Sequence, residues 1–235
     1  MKRNILSAAL ILGIFLSGTI LSTIQAQTTE SRPLPVKITK VRVGSGIDLY
    51  ISKGTSNDLK VEADKGMLGR IITEVMGDEL RIYTNGHFNW RRLTVPKVHL
   101  TLAKIERIIC SSGADVYSKN TIVSDTLELS AGSGADMYVT VDCKYLELKS
   151  SSGSDLKVKG KTINLIASAG SGSDIIADDL AAKYVRVSAS AGSDAKVYAV
   201  ESVDAHASSG SDILVYGNPT TKNFRESSGG DVVQR

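Results

Sequence analysis

A five-residue block of small residues ending in Asp recurs through the second half of the chain, with its Asp at 115, 136, 155, 174, 194, 212 and 231. The steps are 21, 19, 19, 20, 18 and 19 residues. Units this short cannot bury an apolar face alone, so a period near 19 points to coils stacked on one another rather than to a layered domain. Two places before every Asp stands Gly: Gly113, Gly134, Gly153, Gly172, Gly192, Gly210 and Gly229. A glycine held at one place in each copy implies a backbone angle that other residues adopt only at a cost. Ser and Asp beside it suit a tight turn, because their short side chains bond neighbouring backbone groups. The block reads as a corner, Asp115, Asp136, Asp155, Asp174, Asp194, Asp212 and Asp231 being its turn residues.

Directly after each Asp an apolar residue begins a period of two, as in Met137/Val139, Leu156/Val158 and Ile213/Val215. A second alternating run precedes each corner, as in Leu127/Leu129, Leu146/Leu148 and Val185/Val187. Five places before the first six of these Asp residues stand Cys110, Ala131, Ser150, Ala169, Ala189 and Ala207, all small. Period two with one apolar set means strands with one buried face. The expected fold is all-β: a single right-handed parallel β-helix with ~19-residue coils and a less regular N-terminal β part. Seven coils at the ~4.8 Å strand spacing would give a rod about 34 Å long. An earlier copy of the corner, with Gly46 and Asp48, lies within "VRVGSGIDLYISKG" and begins the same rod. The position eight before the Asp holds Arg107, Glu128, Glu147, Ile166, Arg186 and Asp204, with charges of both signs, and reads as a solvated face.

With 42% apolar but only 5% aromatic residues, the core is aliphatic and thin. Lys2 and Arg3, the apolar run Ile5 to Ile24 and Ala26 read as a secretory signal peptide over residues 1–26. Residues 27–35 read as a linker, and 36–235 as the β-helix domain, irregular over 36–100 and regular over 101–235. Export to the periplasm, outer membrane surface or medium follows, with no transmembrane anchor left after cleavage. Loss of the two basic residues in 1–26 lowers the formal charge from +3 to +1, which gives nucleic acid no electrostatic handle. Two cysteines do not make a disulfide scaffold. Cys110 falls in the inward small-residue column as a buried thiol, and Cys143 lies elsewhere on its coil, so the two are not expected to pair.

On "VRVGSGIDLYISKG", "GDELRIYTN" and the repeated "SSGSD", from Val36 to Arg235, the chain resembles the family of secreted bacterial auto-transporter adhesins with a head GIN domain, a domain of unknown function. Its name suggests Gly-Ile-Asn where this chain has Gly46-Ile47-Asp48, and Asp and Asn both suit such turns. The resemblance implies a β-helix and an adhesive or cell-envelope role.

No catalytic constellation stands out. The serines sit in corners beside Gly, and His87, His99 and His206 have no partner at zinc-ligand spacing. "AGSGSDIIA" and "AGSGADMYV" come close to a calcium-binding repeat, but such repeats recur every nine residues, so the Asp column is expected to cap backbone N–H groups with no metal and no cofactor. The binding candidates are the outward Tyr117, Tyr138, Tyr198 and Tyr216, and a loop over 86–96 with Trp90 and Arg91. The expected function is that of an exported, non-enzymatic protein that binds a surface glycan or protein. The alternatives are a carbohydrate-active β-helix enzyme, for which the even steps leave no long loops, and a rod that self-associates end to end.

Overall fold

A computed structural model describes residues 27–86 and 94–235. It is all-β, apart from one four-residue helix α1 (Lys65–Leu68), and is built as a β-solenoid of about seven turns of roughly 19 residues. The regular coils are long bent strands: β10 (Ile122–Gly132), β11 (Asp136–Ser151), β12 (Asp155–Gly170), β13 (Asp174–Ser190) and β14 (Asp194–Ser208). Each pairs in parallel with the next, Leu127 opposite Leu146, Leu146 opposite Leu165, and Leu165 opposite Val185. Each coil has three sides: one before the corner, one after it, and a short third that leads back. The last coils are the shorter β15 (Asp212–Tyr216), β16 (Thr221–Ser227) and β17 (Asp231–Gln234).

The corner has a specific backbone. Ser45, Ser112, Ser133, Ser152, Ser171, Ala191, Ser209 and Ser228 have φ between 50° and 64°, and each is followed by a glycine that is also left-handed, such as Gly153 at 66°. Two consecutive left-handed residues turn the chain as a type I′ turn does, and the second is Gly in every copy. The corners also bond to each other: Gly134 N–H donates to Ser152 O (3.1 Å), and Gly192 N–H to Ser209 O (3.1 Å). The serine before the Asp points into the bore. Ser154, Ser173, Ser193 and Ser211 are fully buried, and Ser173 Oγ accepts from Gly170 N–H (3.2 Å) while donating to Gly170 O (2.7 Å). A buried hydroxyl is thus satisfied within its own turn.

The inward columns pack at close to zero exposure, Leu129, Leu148, Val158, Ile175 and Val215 among them. The outward column of mixed charge pairs across coils, with Arg107 Nε donating to Glu128 Oε2 (2.6 Å) and Arg186 Nε 3.8 Å from Asp204 Oδ2; Arg225, from the neighbouring column, also donates to Asp204 (2.7 Å). In the final coil three inward places change character: Lys222 lies opposite Val203, Phe224 opposite Ala205, and Glu226 opposite Ala207. Phe224 packs on the core, and Glu226 Oε1 accepts the Val232 N–H (2.8 Å). A polar and aromatic coil thus covers that end of the aliphatic bore.

The N-terminal part does not run in spatial order. β2 (Lys40–Val43) and β3 (Asp48–Lys53) flank the corner at Gly46, but they do not begin the rod as expected, because residues further along the chain pair on both sides of them. That coil lies between two others: β6 (Glu79–Thr84) with β7 (Lys97–Leu102) on its outer side, and β8 (Arg107–Cys110) with β9 (Asp115–Ser118) on its inner side. The outer end is finished by antiparallel strands, β5 (Ile71–Met76) on β6 and β4 (Asp58–Asp64) on β7. Residues 27–35, expected to be a linker, instead begin with β1 (Gln27–Arg32), antiparallel on β4. Its sequence, QTTESR, has no apolar alternation because β1 covers an edge without burying a face. Arg32 anchors it, donating to Ile71 O (2.6 Å) and Leu68 O (2.9 Å).

Candidate functional site

Outward places two residues after the corner Asp lie one coil apart on a backbone-paired sheet, so like side chains there must stack. Tyr50, Tyr117 and Tyr138 fill three successive copies, and His99 on β7 adds a fourth ring. Ring centroids are 5.2 Å apart for His99–Tyr50, 5.3 Å for Tyr50–Tyr117 and 5.4 Å for Tyr117–Tyr138, with planes within 19° of parallel. Each stacked pair contributes on the order of 0.5–1.5 kcal/mol beyond its buried area. Tyr50 and Tyr117 have a ring on both sides, so this ladder offers a partner its edges, its hydroxyls and the outer face of Tyr138, which is 42% exposed.

Charge borders the rings. Tyr117 Oη donates to Asp115 Oδ2 (3.3 Å), Lys119 Nζ lies 5.2 Å from the Tyr50 centroid, and His99 Nε2 is 3.2 Å from Glu62 Oε2. Burial, then the charges of Asp115 and Asp48, pushes the Tyr117 phenol up to about 12. Burial also raises Tyr138, helped by Asp136. These phenols stay protonated donors at neutral pH.

The structure divides the four tyrosine candidates. Tyr117 and Tyr138 belong to the ladder; Tyr198 and Tyr216 pair with each other further along the rod, two residues further from the corner, with Tyr198 39% exposed. Lys157, Ile176 and Lys196 continue the ladder column between them. Trp90 and Arg91 lie outside the described residues. The corner residues from Gly46 and Asp48 to Gly229 and Asp231 lie in turns with a left-handed Gly, and three of the Asp side chains accept a backbone N–H from the next coil: Asp136 Oδ1 from Asp155 (3.2 Å), Asp174 Oδ1 from Asp194 (3.3 Å) and Asp194 Oδ1 from Asp212 (3.3 Å). Among the described residues no group of three His, Cys, Asp or Glu side chains is placed to hold a metal ion. Cys110 and Cys143 are free and buried. Burial, with Asp115 and Asp136 nearby, pushes the Cys110 thiol up to about 12, which leaves it un-ionised and a poor nucleophile.

Two ladder members escaped the sequence reading. Tyr50 stands two after Asp48, the same place as Tyr117, and aligning the early corner with the late ones would have found it. His99 follows Lys97 where other copies have Asp, so no corner marks its place.

Fold and surface together define a parallel β-solenoid that presents a rigid strip of aromatic and charged groups. The chain belongs to the family described as "Putative auto-transporter adhesin, head GIN domain", whose model matches residues 37–219. Among solved structures, it resembles a "putative adhesin" from Bacteroides fragilis with a TM-score of 0.84 at 20% identity, covering 90% of this chain and 98% of that one. A "putative adhesin" from Parabacteroides merdae follows at 0.71 and 14%, covering 89% and 96%. A "putative lipid binding protein" from Parabacteroides distasonis is similar at 0.67 and 17%, covering 89% and 97%. At these identities the likeness shows the fold. No curated protein sequence matches the chain.

Proposed function

We propose that this protein is an exported, non-enzymatic adhesin that meets a surface glycan through the His99–Tyr50–Tyr117–Tyr138 ladder. The four-ring stack carries this reading: it is held on a sheet paired on both sides, so presenting it to a partner costs little ordering entropy. The carboxylates of Asp48, Asp115 and Asp136 run beside the strip as acceptors for sugar hydroxyls, and the phenols supply donors. Family membership supports the adhesive role, and the expected signal peptide over 1–26 supports export.

A glycan array probed with the purified protein, with calcium and with chelator, tests the reading. Selective binding that is lost in Tyr138→Ala and unchanged by chelator is the expected result. Absence of binding under both conditions overturns it. End-to-end assembly into longer rods is a second reading, favoured by one observation: among the described residues β16 pairs only with β14, and β17 only with β15, so the outer edges of β16 and β17 carry no described partner. Light scattering that shows a strict monomer at high concentration removes it.

A further inference from the structure

The short third side of the coils, away from the ring ladder, is concave. A groove of about 810 Å³ runs along it from Lys53 and Ala103 to Val200. The coils crossed are successive, with Val123 opposite Asp142, Asp142 opposite Lys161, and Lys161 opposite Ala181. Five steps at the strand spacing make it about 24 Å long. Its volume lies within the ~300–1,000 Å³ range of small-molecule sites.

The lining has two chemistries. Val123, Ile163 and Val200 are 56%, 40% and 45% exposed, three aliphatic side chains left in solvent on one strip, and no aromatic ring joins them. Five lysines against two aspartates border this floor. Lys144 pairs with Asp125 (2.8 Å), Lys161 with Asp142 (3.2 Å), Lys183 with Glu201 (3.3 Å) and Lys104 with Glu106, all on the solvent side of the groove. Pairs of that kind hold by about 0–1 kcal/mol, so an incoming anion can exchange with the carboxylates. Lysine stems extend the apolar wall while their ammonium groups stay at the rim.

We infer that the groove binds a long-chain fatty acid, its acyl chain along the aliphatic strip and its carboxylate among the rim lysines. The rim ammonium groups, held only in weak exposed pairs, are complementary to the anionic head. A sugar would find no ring to stack on. An extended peptide would find no backbone to pair with, because the sheet's ladders are already complete there. This site is independent of the ring ladder and of the glycan reading.

Titration of the purified protein with palmitate by calorimetry, below the concentration at which palmitate aggregates, is the test. Saturable one-to-one binding is expected, weakened at least tenfold in Ile163→Glu and in the charge-reversed Lys144→Glu/Lys161→Glu protein. The Tyr138→Ala protein, whose change lies on another side, should bind as the parent does. Circular dichroism confirms that each variant keeps its β signal, and Val200→Glu replaces Ile163→Glu if the latter does not fold. Heat that never saturates, undiminished binding in all the groove variants, or binding to anionic vesicles but not to palmitate each overturns the inference.

Discussion

The coils nearest the N-terminus and those nearest the C-terminus share a corner and differ in what fills them. Before the corner, the inward pairs run Leu80/Ile82, Val41/Val43, Leu127/Leu129 and Leu146/Leu148, then Leu165/Ala167, Val185/Val187 and Val203/Ala205. After the corner, Met137/Val139 and Leu156/Val158 give way to Ile175/Ala177 and Ala195/Val197 across β13 and β14, and Ile213/Val215 on the next coil are larger again. All are buried. At the near-constant density of protein interiors, smaller side chains mean a slimmer bore. The corner therefore fixes how each coil turns, while side-chain volume fixes how wide it is, and the two vary independently.

The largest expected effect breaks the wide half. Leu129→Ala should cost about 2–5 kcal/mol of unfolding free energy, read by urea denaturation, because a rigid neighbouring coil cannot collapse into the cavity. A loss below about 1 kcal/mol would mean that the bore is not tightly packed and would end the volume argument. In the slim half the opposite change does the damage: Ala205→Leu should cost about 1–3 kcal/mol through overpacking. Were it neutral, the taper would be only apparent.

The corner should answer equally in both halves. Gly153→Ala and Gly210→Ala meet no atom within 4 Å, yet both positions are left-handed, so each should lose about 1–2 kcal/mol from backbone strain alone. Unequal losses would tie the turn to the filling after all. The smallest effect concerns charge. Asp155 is held above its ordinary range by burial, then by Asp136 and Asp174 on the adjoining coils. Folding therefore favours its protonated form, and the stability this contributes is present at low pH and lost as pH rises through 3.8 toward the raised value. Asp155→Asn should raise the melting temperature slightly at pH 7 and leave it unchanged near pH 3. A lower melting temperature at pH 7 would show that the carboxylate supports the turn more than it repels its neighbours.

These halves were unequally legible in the sequence. Gly and Asp at fixed places, with apolar residues at period two, gave away the corner and the inward columns from Cys110 onward, because each contact there spans one coil. The path between Lys53 and Lys97 was hidden. Its strands pair antiparallel or out of order, and nothing in "IITEVM" there, or in "QTTESR" of β1 before it, records which distant edge each will cover. For the same reason the tyrosines after regular corners were picked out as candidates, while Tyr50 and His99 were not. The groove escaped because its floor combines the ends of bends, Val123, Ile163 and Val200, which fall in no single column. That Lys222, Phe224 and Glu226 of the covering coil occupy inward places needs the register.

The position of β2 and β3 inside the rod bears on how the chain can assemble. Lys40 meets Glu79 and Arg107, 39 and 67 residues further on, whereas coils beyond Cys110 find a partner about 19 residues away. Contacts between distant residues close slowly. A polypeptide emerging N-terminus first thus releases its earliest coil with no neighbour, and that coil must wait until residue 110 or so has followed. Each coil of the regular stack that emerges afterwards finds its partner already in place about 19 residues back, so the slow joints are those nearest the start.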